Sequence, residues 1–214
     1  KLDRDVDLQN SLYWQGFHGS GIRRFLARFK IPEFFIKPSL MICTSDKVKC
    51  YLQSAFNIGN VLTTGYPRND IIFNRELVYD QTSNNKELNG KVILYTPTWR
   101  DTDTESRQVL IDWERLNDLL LKENTVFYLK LHRHDKSIVI DSDYTNIKVL
   151  NNDVDVYPMF KDVDLLITDY SSIFFDFLLT DKPILFYPYD KESYLNNDRP
   201  MYDDYDSVTP GYKV

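Results

Sequence analysis

The chain is poor in most residues that would tie it to a specialised class. Only Cys43 and Cys50 among its 214 residues are cysteine, too few for a disulfide framework, and no His or Cys pair at metal spacing accompanies them, so both read as reduced thiols. Seven glycines stand against 28 tyrosines and phenylalanines (15 and 13), which excludes a collagen-like or low-complexity chain. A hydrophobic share of 43% likewise excludes a disordered one. No apolar run approaches the roughly 18 to 20 residues that a membrane-spanning helix requires. The opening KLDRDVDLQN is too charged for a signal peptide, and a start at Lys1 rather than Met reads as a piece of something longer. There is no Walker phosphate loop, no G-x-G-x-x-G after a strand, no H-E-x-x-H and no G-x-S-x-G elbow. That argues against a P-loop kinase, a nicotinamide dehydrogenase, a zincin and an α/β-hydrolase. No metal and no cofactor is expected, and Asp203, Asp204 and Asp206 read as a solvated acidic loop rather than a cation site.

The formal charge of −6 disfavours a general nucleic-acid binder, because a phosphate backbone demands a dominant basic surface. The charge is unevenly spread. Residues 1–74 carry ten Lys and Arg against six acids, or +4, and residues 75–214 carry sixteen against twenty-six, or −10. A polyanion or membrane partner is therefore expected at the N-terminal third. There Ile22, Phe25, Leu26 and Phe29 fall at i, i+3, i+4 and i+7, with Arg23, Arg24, Arg28 and Lys30 off that stripe. This basic amphipathic helix has two readings, an ordinary surface helix packing inward or a contact with an anionic membrane face.

From about Lys91 onward, short apolar runs alternate with helical patterns, the signature of a parallel sheet flanked by helices. Strands are predicted at KVILYTPT, TVFYLKLH, NIKVLN, DLLITDY and PILFYPY, each rich in β-branched and aromatic residues. Helices are predicted at 109–123, with Trp113, Leu116, Leu119 and Leu120 on one face, at 156–161 and at 172–179. Upstream, LMICTS and NVLTTGYP read as two further strands joined by a helix over 46–56, and residues 76–90 as a loop between two subregions.

In an open parallel sheet, ligands sit beyond the carboxyl ends of the strands, and here those ends are polar. The first strand of the main unit delivers Thr96, Thr98, Arg100 and Asp101, the second Lys130 and His132, the fourth Thr168, Asp169, Ser171 and Ser172. In ITDYSSIFFDF a strand ends in small polar residues and a helix begins at once. Such a junction presents unpaired N–H groups and hydroxyls to an anion such as phosphate, although Ser171 also reads as an ordinary N-cap. His132 reads either as a surface histidine or as a group able to neutralise charge or donate a proton beside a phosphate. His18, between Gly16 and Gly19 in QGFHGSG, reads as a surface loop residue or as a base at neutral pH.

Taken in order, FHGSGIRR, TTGYPRND, ILYTPTWRD, LKLH, ITDYSSIFFDF, PILFYPYD and RPMYDDYDSVTPG resemble the CDP-glycerol glycerophosphotransferase family of teichoic-acid and capsule polymerases over nearly the whole chain. The resemblance implies an α/β protein of GT-B type, with two Rossmann-like domains across a cleft. Residues 1–75 would be the last part of the acceptor-side N-terminal domain and residues 76–214 the nucleotide-donor domain. It further implies that more of the acceptor domain precedes Lys1 and that a terminal strand and helix follow Val214. Family members transfer glycerol phosphate from CDP-glycerol to a hydroxyl of a growing lipid-linked polymer at the inner face of the cell membrane, so a cytoplasmic, membrane-peripheral location is implied. By the same resemblance His18, followed by Gly19, is the base that deprotonates the acceptor hydroxyl, and His132 assists departure of CMP. Ser171 and Ser172 hold the phosphates, Asp169 orders their turn, and Arg100 and Arg199 supply charge; Gly19 and the strand-end Lys130 are expected at the substrate site with them. Phe17 stands where the family usually has Trp, a departure that bears on the acceptor site, and Arg133 stands where Pro or an apolar residue often follows the second histidine, which leaves ribitol phosphate open as the donor group. Two other readings are a nucleotide-sugar GT-B glycosyltransferase and a non-catalytic donor-binding module.

Overall fold

Five short stretches rich in β-branched and aromatic residues have a strong preference for extended structure, and a computed structural model shows them paired side by side as strands. It describes residues 40–56, 59–74, 90–100, 111–132, 135, 138, 140, 144–198, 201 and 203–214. The strands are β3 (Lys91–Thr96), β4 (Thr125–Leu129), β5 (Ile147–Val149), β6 (Leu165–Thr168) and β7 (Ile184–Phe186). A sixth, β8 (Tyr212–Lys213), joins them in the order β5-β4-β3-β6-β7-β8, with every neighbouring pair parallel. Counted from β3, this is strand order 3-2-1-4-5-6, the doubly wound Rossmann order, which reverses direction between β3 and β6. The α/β expectation, a Rossmann-like parallel sheet flanked by helices, holds.

All five residues of the central strand β4 are buried, as a parallel strand covered on both faces must be. Alternate side chains go to opposite layers. Val92, Leu94, Val126 and Tyr128 join a core with Phe160, Phe174, Phe177 and Phe186, while Tyr95, Phe127 and Leu129 join one with Leu120, Trp113 and Leu116. The second layer is covered by α3 (Trp113–Lys122), whose N-cap Asp112 accepts a bond from the Arg115 N–H at 3.0 Å. The predicted face of α3 holds at Trp113, Leu116 and Leu120, but Leu119 is half exposed at 50%. The first layer is covered by α4 (Ile173–Phe177) and by the segment Tyr157–Lys161, which winds as a 3-10 helix rather than the α-helix expected at 156–161.

Two glycines are demanded by close approach. A Cβ on Gly90 would lie 2.0 Å from the Asn124 carbonyl oxygen, to which Lys91 N–H donates at the start of β3. At Gly211, where φ is +140°, a Cβ would lie 2.6 Å from the Ile184 oxygen, so only glycine lets β8 reach β7.

Upstream, β1 (Met41–Cys43), α1 (Asp46–Phe56) and β2 (Val61–Thr63) form a small parallel βαβ unit. Its own core is Met41, Cys43, Val48, Leu52 and Val61. A 3-10 turn (Pro67–Asn69) and α2 (Asp70–Phe73) follow, and Ile72 of α2 is buried in the core of the larger sheet. Cys43 is buried and Cys50 exposed, both as free thiols. The expected basic helix around Arg23 and the loop at 76–89 lie outside the described residues.

Candidate functional site

The polar strand ends meet where the strand order reverses. At the tips of β3 and β6 the hydroxyl of Thr168 donates to the Thr96 carbonyl at 2.8 Å. One residue on, the fully buried carboxylate of Asp169 laces the two following loops together. Its Oδ1 accepts from the backbone N–H of Thr98 (2.8 Å) and of Tyr170 (2.6 Å), and its Oδ2 takes Nη2 of Arg100 at 3.0 Å. Arg100 is itself buried, at 2% exposure. It forms a two-pronged pair with Asp190, beyond β7, through Nε and Nη2 at 2.8 Å each, and Nη1 donates to the Thr98 carbonyl. The guanidinium also lies over the rings of Tyr170 and Tyr194, 4.8 and 4.6 Å from their centroids. Those rings stack on each other at 3.8 Å.

Burial alone would lower the pKa of Arg100, but the charges of Asp169 and Asp190 outweigh it and hold the guanidinium firmly protonated. Burial pushes Tyr170 and Tyr205 well above the ordinary phenol value, helped at Tyr170 by Asp190 and at Tyr205 by Asp169. Both therefore stay hydroxyl donors, Tyr170 to Asp190 Oδ1 and Tyr205 to the Asp169 carbonyl, each at 3.0 Å.

Around this knot lie the smaller polar groups. Ser171 and Ser172 are half-buried between β6 and α4. The Ser171 hydroxyl accepts from the Ile173 N–H at 3.4 Å, so it caps the turn, whereas Ser172 precedes the helix without a side-chain capping bond. After β4, the exposed ring of His132 stacks on Trp99, which follows β3, at 5.6 Å and 20° between planes. Lys130 donates from Nζ to the Asn151 carbonyl at 2.6 Å. Burial draws its pKa below the ordinary lysine value, against the opposing pull of Asp153 and Asp155.

Thus Arg100, Lys130, His132, Asp169, Ser171 and Ser172 all come to the carboxyl edge of β3, β4 and β6. Arg100 is turned inward, however. His18, Gly19 and Arg199 lie outside the described residues. Beside α4, a cavity of about 560 Å³ separates the small βαβ unit from the main sheet, lined among others by Ser45, Tyr51, Tyr66, Asn69, Phe175 and Asp176. Among the described residues no group of three or more His, Cys, Asp or Glu is placed to hold a metal ion, and no helix is long and apolar enough to cross a membrane.

Residues 33–214 match the family described as CDP-Glycerol:Poly(glycerophosphate) glycerophosphotransferase. The chain belongs to that family. It is 32% identical over 200 residues to the teichoic acid poly(glycerol phosphate) polymerase of Bacillus spizizenii, covering 88% of this chain and 49% of that protein. It is 31% identical over 191 residues to the teichoic acid poly(ribitol-phosphate) polymerase of the same organism, covering 80% of this chain and 29% of that protein. The wall teichoic acid polymerase TagF superposes with a TM-score of 0.72 at 29% identity, over 92% of this chain and 54% of TagF. TagF has also been solved as a histidine-to-asparagine variant soaked with CDPG, with a TM-score of 0.68, 27% identity and coverage of 91% of this chain and 52% of that one. The chain thus spans about half the length, or less, of the relatives it matches.

For this member of the family, three features of the site are not assigned by the sequence reading. Asp190 closes PILFYPYD, Trp99 sits inside ILYTPTWRD, and Arg68, Asn69 and Asp176 belong to TTGYPRND and ITDYSSIFFDF. All lie in motifs that carried the resemblance, which was the available signal. Their partners are remote in sequence, 90 residues away for Arg100 with Asp190 and 108 for Arg68 with Asp176, so spacing could not pair them.

Proposed function

We propose that the protein to which this chain belongs transfers glycerol phosphate from CDP-glycerol to a hydroxyl of a teichoic-acid or capsular polymer, releasing CMP. Family membership over 33–214 is the observation that carries this reading. It is supported by the polar rim at the β3/β6 reversal, where a doubly wound sheet takes a nucleotide. In this reading residues 76–214 are the donor domain of a GT-B pair, and residues 1–75 end the acceptor domain.

The acceptor oxygen attacks the glycerol-bearing phosphorus of the donor. The bond from that phosphorus to the bridging oxygen breaks, CMP leaves with the electron pair, and a phosphodiester forms on the acceptor. His18 takes the proton from the attacking hydroxyl, and His132 gives one to the departing phosphate or balances its charge. Ser171 and Ser172 hold phosphate oxygens, aided by Lys130 and Arg199. Arg100 acts one layer down, bracing the loops that present these groups. Phosphoryl transfer asks mainly for such positioning and charge balance. In this reading the acceptor is a lipid-linked polyol phosphate or glycan, met at the inner membrane face by the basic residues Arg23, Arg24, Arg28 and Lys30.

The identity to a poly(ribitol-phosphate) polymerase favours CDP-ribitol as the second donor to try. The test is calorimetric titration of the full chain with CDP-glycerol, CDP-ribitol, CMP and a UDP-sugar, followed by a transfer assay in the full-length protein. One CDP-alditol binds selectively, and Ser172→Ala weakens it about ten- to a hundredfold, the worth of a charge-assisted hydrogen bond. His132→Ala lowers kcat by about 10² to 10⁴. Selective binding of a UDP-sugar, or full transfer activity in both variants, would refute the proposal.

A further inference from the structure

Two motifs of the sequence, TTGYPRND and the end of ITDYSSIFFDF, have no part in the chemistry above, yet they meet in one buried network. Its centre is Asp176, 3% exposed, on α4 one helical turn after Ser172. A carboxylate can only accept, with about four lone-pair positions, and Asp176 receives four bonds. Arg68 donates from Nε (3.2 Å) and Nη2 (3.0 Å), and Tyr157 from its hydroxyl (2.7 Å), all to Oδ2. Asn69 donates from Nδ2 to Oδ1 at 2.9 Å.

The donors are themselves held. The Arg68 guanidinium lies 4.3 Å from the Tyr66 ring centroid, the Tyr157 ring stacks on Phe160 at 4.9 Å, and Asn69 is 8% exposed. Burial, with the Asp176 charge adding to it, keeps the Tyr157 phenol well above its ordinary pKa and therefore protonated. The five-residue α4 is too short to hold its own orientation by helix propensity. Phe174 and Phe177 anchor one side of it in the core, and the Asp176 network fixes the other to the segment that follows β2.

We propose that Asp176, with Arg68, Asn69 and Tyr157, is a positioning device for the donor-phosphate groups Ser171 and Ser172, acting through α4. The inference rests on the donor reading given above. It gives the Gly-Tyr-Pro-Arg-Asn segment a task for donor binding from the other end of the same helix, since a displacement near 1 Å at a phosphate contact is enough to cost a large part of the rate.

The test uses the full chain with Arg68→Lys, Tyr157→Phe and Asp176→Asn, and Leu119→Gln on the exposed face of α3 as the control. Two readouts are taken on the folded fraction, amide exchange of residues 171–177 and the dissociation constant for the CDP-alditol. The two milder variants are expected to fold with cooperative melting. They should speed exchange at 171–177 while β3 and β4 remain protected, and weaken donor binding roughly three- to tenfold. Arg68→Lys combined with Ser172→Ala should weaken binding by clearly less than the product of the two single effects, because both act on one contact. Wild-type exchange at 171–177, or wild-type affinity per folded molecule in a merely less stable variant, would overturn the proposal. So would strictly multiplicative effects with Ser172→Ala. If the wild-type chain binds no CDP-alditol, the donor reading fails, and the exchange readout still decides whether the network orients α4.

Discussion

Asp169→Asn removes one charge and almost no volume, so it isolates what the buried knot at the strand ends contributes. The wild-type carboxylate is fully buried and accepts from two backbone N–H groups and from Arg100. An amide offers one accepting oxygen. If that oxygen keeps Thr98 and Tyr170, the new NH₂ faces Nη2 of Arg100, donor against donor. If the amide flips, it faces two backbone N–H groups instead. Either way a charge-assisted bond worth about 1.5 to 3 kcal/mol is lost. Breaking a buried pair from one side costs about 3 to 5 kcal/mol when the remaining charge is stranded. Arg100 keeps both prongs on Asp190, so the guanidinium is not stranded, and the expected cost sits at the low end, about 3 kcal/mol. For a domain of this size that corresponds to a fall of about 6 to 12 °C in Tm. Urea unfolding followed by circular dichroism should show a lower midpoint at unchanged slope. Arg100→Met strands Asp169 and half-buried Asp190 together and should cost more than Asp169→Asn, with the double variant less destabilised than the sum of the two. A cost for Asp169→Asn below about 0.5 kcal/mol, within the range of a neutral surface change, would refute the claim that this carboxylate holds the two loops.

Two further outcomes follow from the geometry. Burial tends to raise the Asp203 carboxyl, but hydrogen bonds from Tyr51 and Lys47 outweigh it and hold the group below the usual carboxylate value. Its stabilisation is therefore complete above an unfolded pKa of about 3.9 and is lost as pH falls through the lower folded value. Urea midpoints between pH 2.5 and 6 should drop less steeply in Asp203→Asn, by an amount no larger than about 1 kcal/mol for so accessible a pair; equal slopes would contradict this. Trp99→Ala removes the plate beneath His132 and should lower kcat for transfer about tenfold through misplacement of the ring. Donor affinity should hold within twofold and Trp99→Phe should recover most of the loss, whereas unchanged kcat in Trp99→Ala would dismiss the stack as incidental.

The sheet was readable because runs such as KVILYT and TVFYL are β-branched or aromatic and find burial only as central strands. β8 was not, because two exposed residues carry no pattern and its pairing depends on Gly211 fitting against Ile184. Leu119 matched the apolar period of α3, yet three-to-four spacing admits more residues than a single-sided contact buries, and Trp113 with Leu116 and Leu120 already fills the contact. The site shows the same division. That Asp169, Ser171, Ser172 and His132 end strands can be read from order alone, and parallel pairing then brings them to one edge. The inward turn of Arg100 cannot be read that way, since it depends on two carboxylates 69 and 90 residues distant.

Those carboxylates also change what the acidic charge of residues 75–214 means. A count of −10 over that stretch suggests a surface hostile to a diphosphate donor. Asp169 and Asp176 are instead buried, and Asp190 is half-buried, each aimed at Arg100 or Arg68. Two of these three charges are offset within a few ångströms by Arg100 and Arg68, and the remaining one is shared between Asp169 and half-buried Asp190, which also accepts from the Tyr170 hydroxyl. Local dipoles and cations can bind an anion inside a protein of net negative charge. In the proposed donor reading the buried arginine serves donor binding without touching the donor. Its single charge is shared by Asp169 and Asp190, so in that reading Ser171 and Ser172 stand in front of a carboxylate that is paired rather than bare.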